Sequence, residues 1–285
     1  MALRIFTNHS SLNSQRALQI NNARMGSSLE RVASGIRIQR SSDDIAAMAV
    51  SETLRGDVIA LKQGAKNLHD GLAMIDTADG ALNEQAGILI RLREITSQSA
   101  TGTIGDTERA TLNLEFSALR AEFDRISLTT EFNDRKLLNG NLSASSGSST
   151  ILHLGIDSSD SNRFNINQEM NLPAVTSNAL NFSADSIATE DAALQSMGKL
   201  TTAIEKLSAI RGRVGSVQER LQYAQDHLTR SVEEIDSAIS KMRDADFAEE
   251  FAGLTKNQIL VQSAAAMIGQ ANLIPQAVLT LLQEQ

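Results

Sequence analysis

The sequence predicts a mainly α protein: a long antiparallel coiled-coil or helical bundle with a small β-hairpin element, plus a terminal two-helix coiled coil formed by the N- and C-termini. Three observations carry that prediction. Only two prolines occur in 285 residues, so long stretches keep every backbone donor free for helix hydrogen bonds. Apolar residues recur at alternating steps of three and four in the N-terminal, middle and C-terminal parts, the spacing of one helix face. Between the middle stretches lies a polar, turn-rich segment that ends in short strand-like runs. With 41% hydrophobic residues but no Trp and a single Tyr, the core has to be aliphatic.

At the N-terminus, Leu18, Asn22, Met25, Leu29, Val32 and Ile36 form a narrow seam, with no acidic residue before Glu30. Asp43 and Asp44 then suit a helix start, because a carboxylate there accepts orphan amide hydrogens and meets the positive end of the helix dipole. From Leu54 a seam runs through Val58, Leu61, Ala65, Leu68, Leu72, Ile75, Asp79, Leu82, Ala86 and Leu89 to about Ser99, with Asp79 as its break. At ~1.5 Å per residue this rod is ~80 Å long. Gly56, Gly64, Gly71, Gly80 and Gly87 lie within it. Each costs ~1 kcal/mol relative to alanine, which predicts close approach of neighbouring backbones. Residues 100–106 read as a turn, and Leu112, Phe116, Leu119, Phe123 and Ile126 as a shorter helix ending near Thr130.

From Lys136 the pattern changes. LLNGNLSASSGSST is turn-rich, and STILHLGI and NRFNINQ read as two short strands. Residues 171–189 have no clear period. A third rod runs from Glu190 to about Arg243 with Val214, Val217, Leu221, Ala224, Leu228, Ile235, Ala238 and Met242 in its seam; its phase is expected to slip between Leu207 and Ile210. The C-terminal segment carries two seams. One contains Phe247, Phe251, Leu254, Val261, Ala265, Ile268 and Leu282, the other Leu260, Ala264, Met267, Ala271, Ile274, Val278 and Leu281. Adjacent residues sit ~100° apart on a helix, so this apolar face is wider than one partner helix covers.

The expected organisation is therefore 1–43 as the N-terminal half of a terminal coiled coil, and 44–189 as the first part of an inner helical domain with a β-hairpin insert near 137–170. Residues 190–243 supply the last helix of that domain, and 244–285 the C-terminal half of the coiled coil. An antiparallel bundle of the three internal helices brings residues 44 and 243 to one end, so the terminal segments leave together and pair. Leu18, Met25, Leu29 and Val32 would meet the C-terminal segment, whose candidates for the pairing and for polymerisation are Leu260, Val261, Ala264, Met267, Ile268, Ala271, Ile274, Val278, Leu281 and Leu282, the second seam of residues 260 to 281 being chiefly what stays apolar after the pairing. The apolar surplus needs another copy of the chain, which predicts a polymer or obligate oligomer.

Chemistry finds no constellation. With no cysteine there is no disulfide framework, thiolate metal site or cysteine nucleophile. The four histidines, His9, His69, His153 and His227, have no metal-binding spacing, and neither a phosphate loop nor a nucleophile elbow occurs. Asp43-Asp44, Glu233-Glu234 and Glu249-Glu250 read as caps and solvated faces. A net charge of -8 disfavours a polyanionic partner, and the stripe Arg211, Arg213, Arg220 lacks interleaved aromatics. No enzyme activity, cofactor, metal or nucleic acid is expected. The N-terminus lacks the apolar run of a cleaved signal peptide. Residues 257–283 carry no charge, yet their recurrent amides and the backbone break expected at Pro275 argue against membrane insertion.

Several long motifs carry a resemblance. SLERVASGIRIQRSSDDIAAMAVSE, residues 28 to 52, closely resembles the N-terminal signature of bacterial flagellins, and RLREITSQSATGT and EFDRISLTTEFNDRKLL resemble that family's next block. ISKMRDADFAEEFAGLTKNQILVQSAAAMIGQANLIPQAVLTLL, residues 239 to 282, is similar to the family's C-terminal block almost throughout. The chain looks like a minimal flagellin without large outer domains. The resemblance implies a self-assembling filament subunit, exported unfolded without a cleaved signal, with the paired termini lining the filament's inner tube. It implies further partners: the filament cap, hook-associated junction proteins, and a cytoplasmic export chaperone at the C-terminal helix. It also places an innate-receptor surface at Arg91 and Glu115, although Ile90 and Ile95 depart from the family pattern there. The Ser-rich run Ser143, Ser145, Ser146, Ser148, Ser149 and Thr150 offers candidate O-glycosylation positions, as flagellin outer segments sometimes do. A hook-filament junction protein shares the terminal architecture and is the nearest rival; a secreted hydrolase would need a catalytic insert that residues 141–190 lack.

Overall fold

The computed structural model describes residues 8–283, with side chains through residue 273. The elements are α1 (His9–Ser34), α2 (Ile45–Ser99), α3 (Asp106–Thr129), β1 (Glu131–Phe132), β2 (Arg135–Lys136), β3 (Ile151–His153), β4 (Arg163–Asn165), α4 (Ile166–Met170), α5 (Glu190–Arg243) and α6 (Phe247–Gln283). They form two compact units, residues 57–234 and residues 1–56 with 235–285.

In the larger unit α3 runs antiparallel to α2. The buried Arg109 guanidinium donates to the carbonyls of Ser99 (2.9 Å) and Thr101 (3.1 Å), satisfying acceptors that the end of α2 leaves open. α5 also runs antiparallel to α2, with Arg211 Nε 3.3 Å from Asp79 Oδ1 and Gln218 Nε2 donating to Asp76 Oδ1 at 2.7 Å. The core is aliphatic apart from Phe116, Phe123 and Phe182, the last two in edge-on contact at 5.3 Å.

The seams keep the heptad spacing but not every expected phase. Leu61, Leu68, Ile75, Leu82, Leu89 and Thr96 form one buried row of α2; the second is Gly64, Gly71, Ala78, Gln85, Leu92 and Ser99. That row lies one residue before the expected Ala65, Leu72, Asp79 and Ala86. Asp79 is thus no break in the seam: it stands beside it and pairs with Arg211. In α5 the buried row Ala193, Ser196, Leu200, Ala203, Leu207, Ile210, Val214, Val217 and Leu221 alternates steps of three and four throughout. The expected slip is absent, because Leu207 to Ile210 is an ordinary step of three between two steps of four.

Strands β3 and β4 pair antiparallel, Leu152 opposite Phe164, in the region where a hairpin is expected. The hairpin lies directly on α2. Asn67 Nδ2 donates to the His153 carbonyl at 3.0 Å. A Cβ on Gly64 would fall 2.6 Å from the Leu154 carbonyl oxygen, and one on Gly71 would meet the Leu152 side chain. These two glycines therefore serve close approach, to the hairpin and not to a helix; Gly56, Gly80 and Gly87 have nothing within 4 Å of that position. A second hairpin, β1–β2, was not expected. Its turn places Asn133 and Asp134 at φ 49° and 61°, the left-handed pair that a two-residue hairpin turn requires. The aperiodic stretch 171–189 buries Leu172, Val175, Leu180, Phe182 and Ile187 without regular structure. Side chains of α3 satisfy its backbone: Asp124 accepts from the Ser177 amide (2.7 Å) and Asn113 from the Ile187 amide (3.0 Å).

In the smaller unit α1 starts at Asn8, whose side chain accepts from the Ser11 amide at 3.1 Å, and stops at Gly35 with φ 72°. Ile36 is therefore beyond the helix and outside its seam, bridging Asp244 instead. The Arg37 amide donates to the Arg243 carbonyl (2.7 Å) and the Ala245 amide to the Gly35 carbonyl (2.9 Å), so the two terminal segments start side by side. Asp44 caps α2 by accepting from the Ala47 amide at 2.9 Å. Asp43 instead ties the preceding turn, accepting from the amides of Arg40 (3.1 Å) and Gln39 (3.2 Å). The Arg40 amide chiefly, with the Gln39 amide and the Arg31 and Arg40 charges, holds the Asp43 carboxyl below its usual pKa against a partial desolvation.

Candidate assembly surface

α1 and α6 pack antiparallel. Asn8 Nδ2 donates to the Ala271 carbonyl (2.8 Å), Asn257 Nδ2 reaches Ser28 Oγ (3.5 Å), and Arg31 Nη1 lies 3.3 Å from Glu250 Oε1. Buried at the contact are Ser11 and Ser28 on α1 and Ala264 and Ala271 on α6. Leu18, Met25, Val32, Val261 and Ile268 are half-buried along the same rows. The contact is thus made of small and polar groups with a few aliphatic ones between them. On α6 it draws on both expected seams, Val261 and Ile268 from one, Ala264 and Ala271 from the other.

Among the described residues, three further candidates stay outside this pairing. Leu29 is 57% exposed, Leu260 37% and Met267 59%, and Ser28, not Leu29, occupies the buried step of α1. Phe247 and Phe251 are also exposed, their rings 6.5 Å apart. The side chains of Ile274, Val278, Leu281 and Leu282 lie outside the described residues. The α6 backbone itself stays helical through Pro275 to Gln283, so the break expected at the proline does not occur. Fully burying a side chain such as leucine or methionine is worth ~1.5–3 kcal/mol. Leu29, Leu260 and Met267 therefore leave a gain of several kcal/mol unrealised in the single chain. No helix among the described residues is long and apolar enough to cross a membrane.

Two other predicted groups are placed by the larger unit. Arg91 on α2 and Glu115 on α3 meet directly, Nη2 to Oε1 at 2.8 Å and Nε to Oε1 at 3.1 Å, while Arg91 Nη1 holds Glu94 Oε2 at 2.8 Å. Hydrogen bonds to Glu94 and then Glu115 raise the guanidinium pKa above its usual value. Ile90 beside them is exposed and Ile95 is buried. In the Ser-rich run, Ser145, Ser148 and Ser149 are exposed and Ser143 and Ser146 half-buried. Thr150 is a correction: its hydroxyl is buried because the Asn167 side chain holds this stretch inward through the Thr150 amide at 2.8 Å. It is no accessible acceptor. Sequence reasoning also missed Gln85, buried with Nε2 donating to the carbonyls of Phe123 and Val175, both at 3.1 Å. Its signal, a polar residue on the heptad row through Ala78 and Leu92, is visible only once the phase is right.

Comparison with known proteins agrees with this geometry. The family pattern described as the bacterial flagellin N-terminal helical region matches residues 5–143, and that of the bacterial flagellin C-terminal helical region matches residues 197–282. The flagellin of Bacillus subtilis (strain 168) is 35% identical over 307 residues, covering 99% of this chain and 100% of that one. A flagellar filament 30.7 kDa core protein of Treponema maltophilum is 36% identical over 281 residues, covering 96% and 98%. Among solved structures, a putative flagellar hook-associated protein from Vibrio parahaemolyticus shares the fold, with a TM-score of 0.56 at 13% identity, covering 71% of this chain and 100% of that one.

Proposed function

The chain belongs to the bacterial flagellin family, and we infer from that membership that it is the structural subunit of a flagellar filament, the helical propeller of swimming cells. The observation that carries the mechanism is the α1–α6 pairing, whose buried rows hold serines and alanines while Leu29, Leu260 and Met267 remain outside. Segments with few charges and uncovered apolar surface gain their order when another subunit covers them, so one step supplies both assembly and polymer stability. Leu18, Met25 and Val32 would hold the pair together, and Leu29, Leu260 and Met267 would meet neighbouring subunits. Ile274, Val278, Leu281 and Leu282 continue the α6 heptads and are assigned to the same surface.

Further partners follow the same reading. Before assembly, the uncovered α6 would be held by an export chaperone, and export would proceed through the flagellar apparatus without a cleaved signal. The filament cap and the hook-associated junction proteins would abut the ends of the polymer. The subunit has no catalytic role in this account. Ser145, Ser148 and Ser149 are the exposed positions for O-linked sugars, and the Arg91–Glu115 pair presents the surface that an innate receptor would read. Electron microscopy of depolymerised and reassembled full-length chain tests the reading: long hollow helical filaments are expected. Capped rings would favour a hook-associated junction protein, and absence of any polymer would sink the filament assignment.

A further inference from the structure

The chain has no cysteine and eight methionines, so its oxidisable sulfur is all thioether. Among the described residues these side chains divide sharply. Met74 and Met170 are enclosed in the core, Met25, Met48, Met197 and Met242 are half-buried, and Met267 is exposed. Met267 lies one heptad beyond Leu260 on α6, three residues from the buried Ala264, on the flank of the row that pairs with α1. No charged residue occurs between 257 and 283, so that stretch offers a new dipole no ionic partner.

We propose that Met267 is an oxidation site of the unassembled subunit, at which a peroxide-class oxidant forms the sulfoxide and thereby prevents the α6 flank from being covered by a second copy of the chain. The proposal rests on the filament reading. In the reaction a lone pair on Sδ attacks one peroxide oxygen, the O–O bond breaks, the S–O bond forms, and the transferred oxygen gives its proton to the displaced hydroxide, which leaves as water. Sulfur is oxidised by two electrons and the peroxide reduced by two, and a thiol-dependent reductase reverses the change. The physical consequence follows from burial. A thioether is apolar and adapts to irregular surfaces, whereas a sulfoxide carries a strong acceptor that is costly to bury without a donor.

The test uses the full-length chain, depolymerised, exposed to graded hydrogen peroxide, and read by peptide mass spectrometry and by the critical concentration for polymerisation. Met267 sulfoxide should accumulate well before that of Met74 or Met170, and the critical concentration should rise by about tenfold or more as it does, given the penalty for burying an unpaired polar group. The two methionine sulfoxide reductases, one for each sulfoxide epimer, together with a dithiol should restore the original value. Met267→Leu is compared with itself before and after peroxide, whatever its own critical concentration, and should lose the peroxide response. The proposal is overturned if Met267 oxidises no faster than the enclosed methionines, or if Met267→Leu responds to peroxide as strongly as the native chain. If untreated native chain forms no polymer, the filament reading itself fails, and this outcome is distinct from polymer that forms and ignores oxidation.

Discussion

At the scale of single residues, the polar groups inside the bundle are explained by the acceptors they satisfy. Gln85 sits at a heptad position that an aliphatic side chain would normally hold, and its amide donates to the Phe123 and Val175 carbonyls. Phe123 is helical, so its carbonyl also serves the helix ladder; Val175 belongs to the irregular stretch and relies on Gln85. Replacement by leucine keeps the volume and removes the unpaired Oε1, but strands the Val175 carbonyl in the core. A buried acceptor left without its donor costs ~1–3 kcal/mol. Gln85→Leu is therefore expected to lower the urea midpoint by a corresponding amount; an unchanged midpoint would mean that the freed Oε1 penalty and the lost bonds cancel. Arg109 acts in the same way at the end of α2, where its two carbonyl partners mark the turn into α3.

At the scale of elements, the glycines of α2 differ in what faces them, and that difference can be measured. Gly64 faces the Leu154 backbone, so Gly64→Ala pushes a Cβ to 2.6 Å from a carbonyl oxygen and should displace the β3–β4 hairpin. Gly80 and Gly87 have open space at that point, and alanine there should stabilise α2 by up to ~1 kcal/mol each through helix propensity. Thermal melts of the three variants should move in opposite directions, and a stabilising Gly64→Ala would show that the hairpin is not held against α2. The same residues explain what the sequence made legible. Heptad spacing was readable because leucines and isoleucines fill Leu61 to Leu89 at every seventh position. The companion row was misplaced by one residue because its partners are not another helix seam: Gly64 faces the Leu154 backbone, Gly71 the Leu152 side chain and Gln85 two carbonyls, while hydropathy favoured the neighbouring Ala65, Leu72 and Ala86. On α1 Ser28 and not Leu29 is the buried step, since a close helix pair prefers the smaller residue inside, and hydropathy alone does not show this. Residues 171–189 were unreadable because their burial follows no period, being set by Asp124 and Asn113 on α3.

At the scale of the whole molecule, the two compact units differ in how their apolar residues are used. Within 57–234 a continuous set of large side chains is enclosed, from Leu68 and Ile75 through Phe116, Phe123 and Phe182 to Leu221, while Ile59, Ile90, Leu114 and Tyr223 are among those left open. Among the described residues of the unit that holds both termini, the enclosed ones are Ile38 and a few serines and alanines, while Leu12, Ile20, Leu29, Phe247, Phe251 and Leu273 are open. Stability in the first is intramolecular; in the second much of the available burial has to come from other copies. Deleting residues 246–285 separates the two contributions. It removes the whole of α6 and begins beyond the core of 57–234, so cooperative thermal unfolding of that core should persist. It also removes Leu260 and Met267 and the partner of α1, so the truncated chain should sediment as a helical monomer at concentrations where the full chain polymerises. Filaments from the truncated chain would place the assembly surface outside α6. A truncated chain that loses cooperative unfolding altogether would show instead that the terminal helices are needed to complete the inner core, against the enclosure seen for its phenylalanines and leucines.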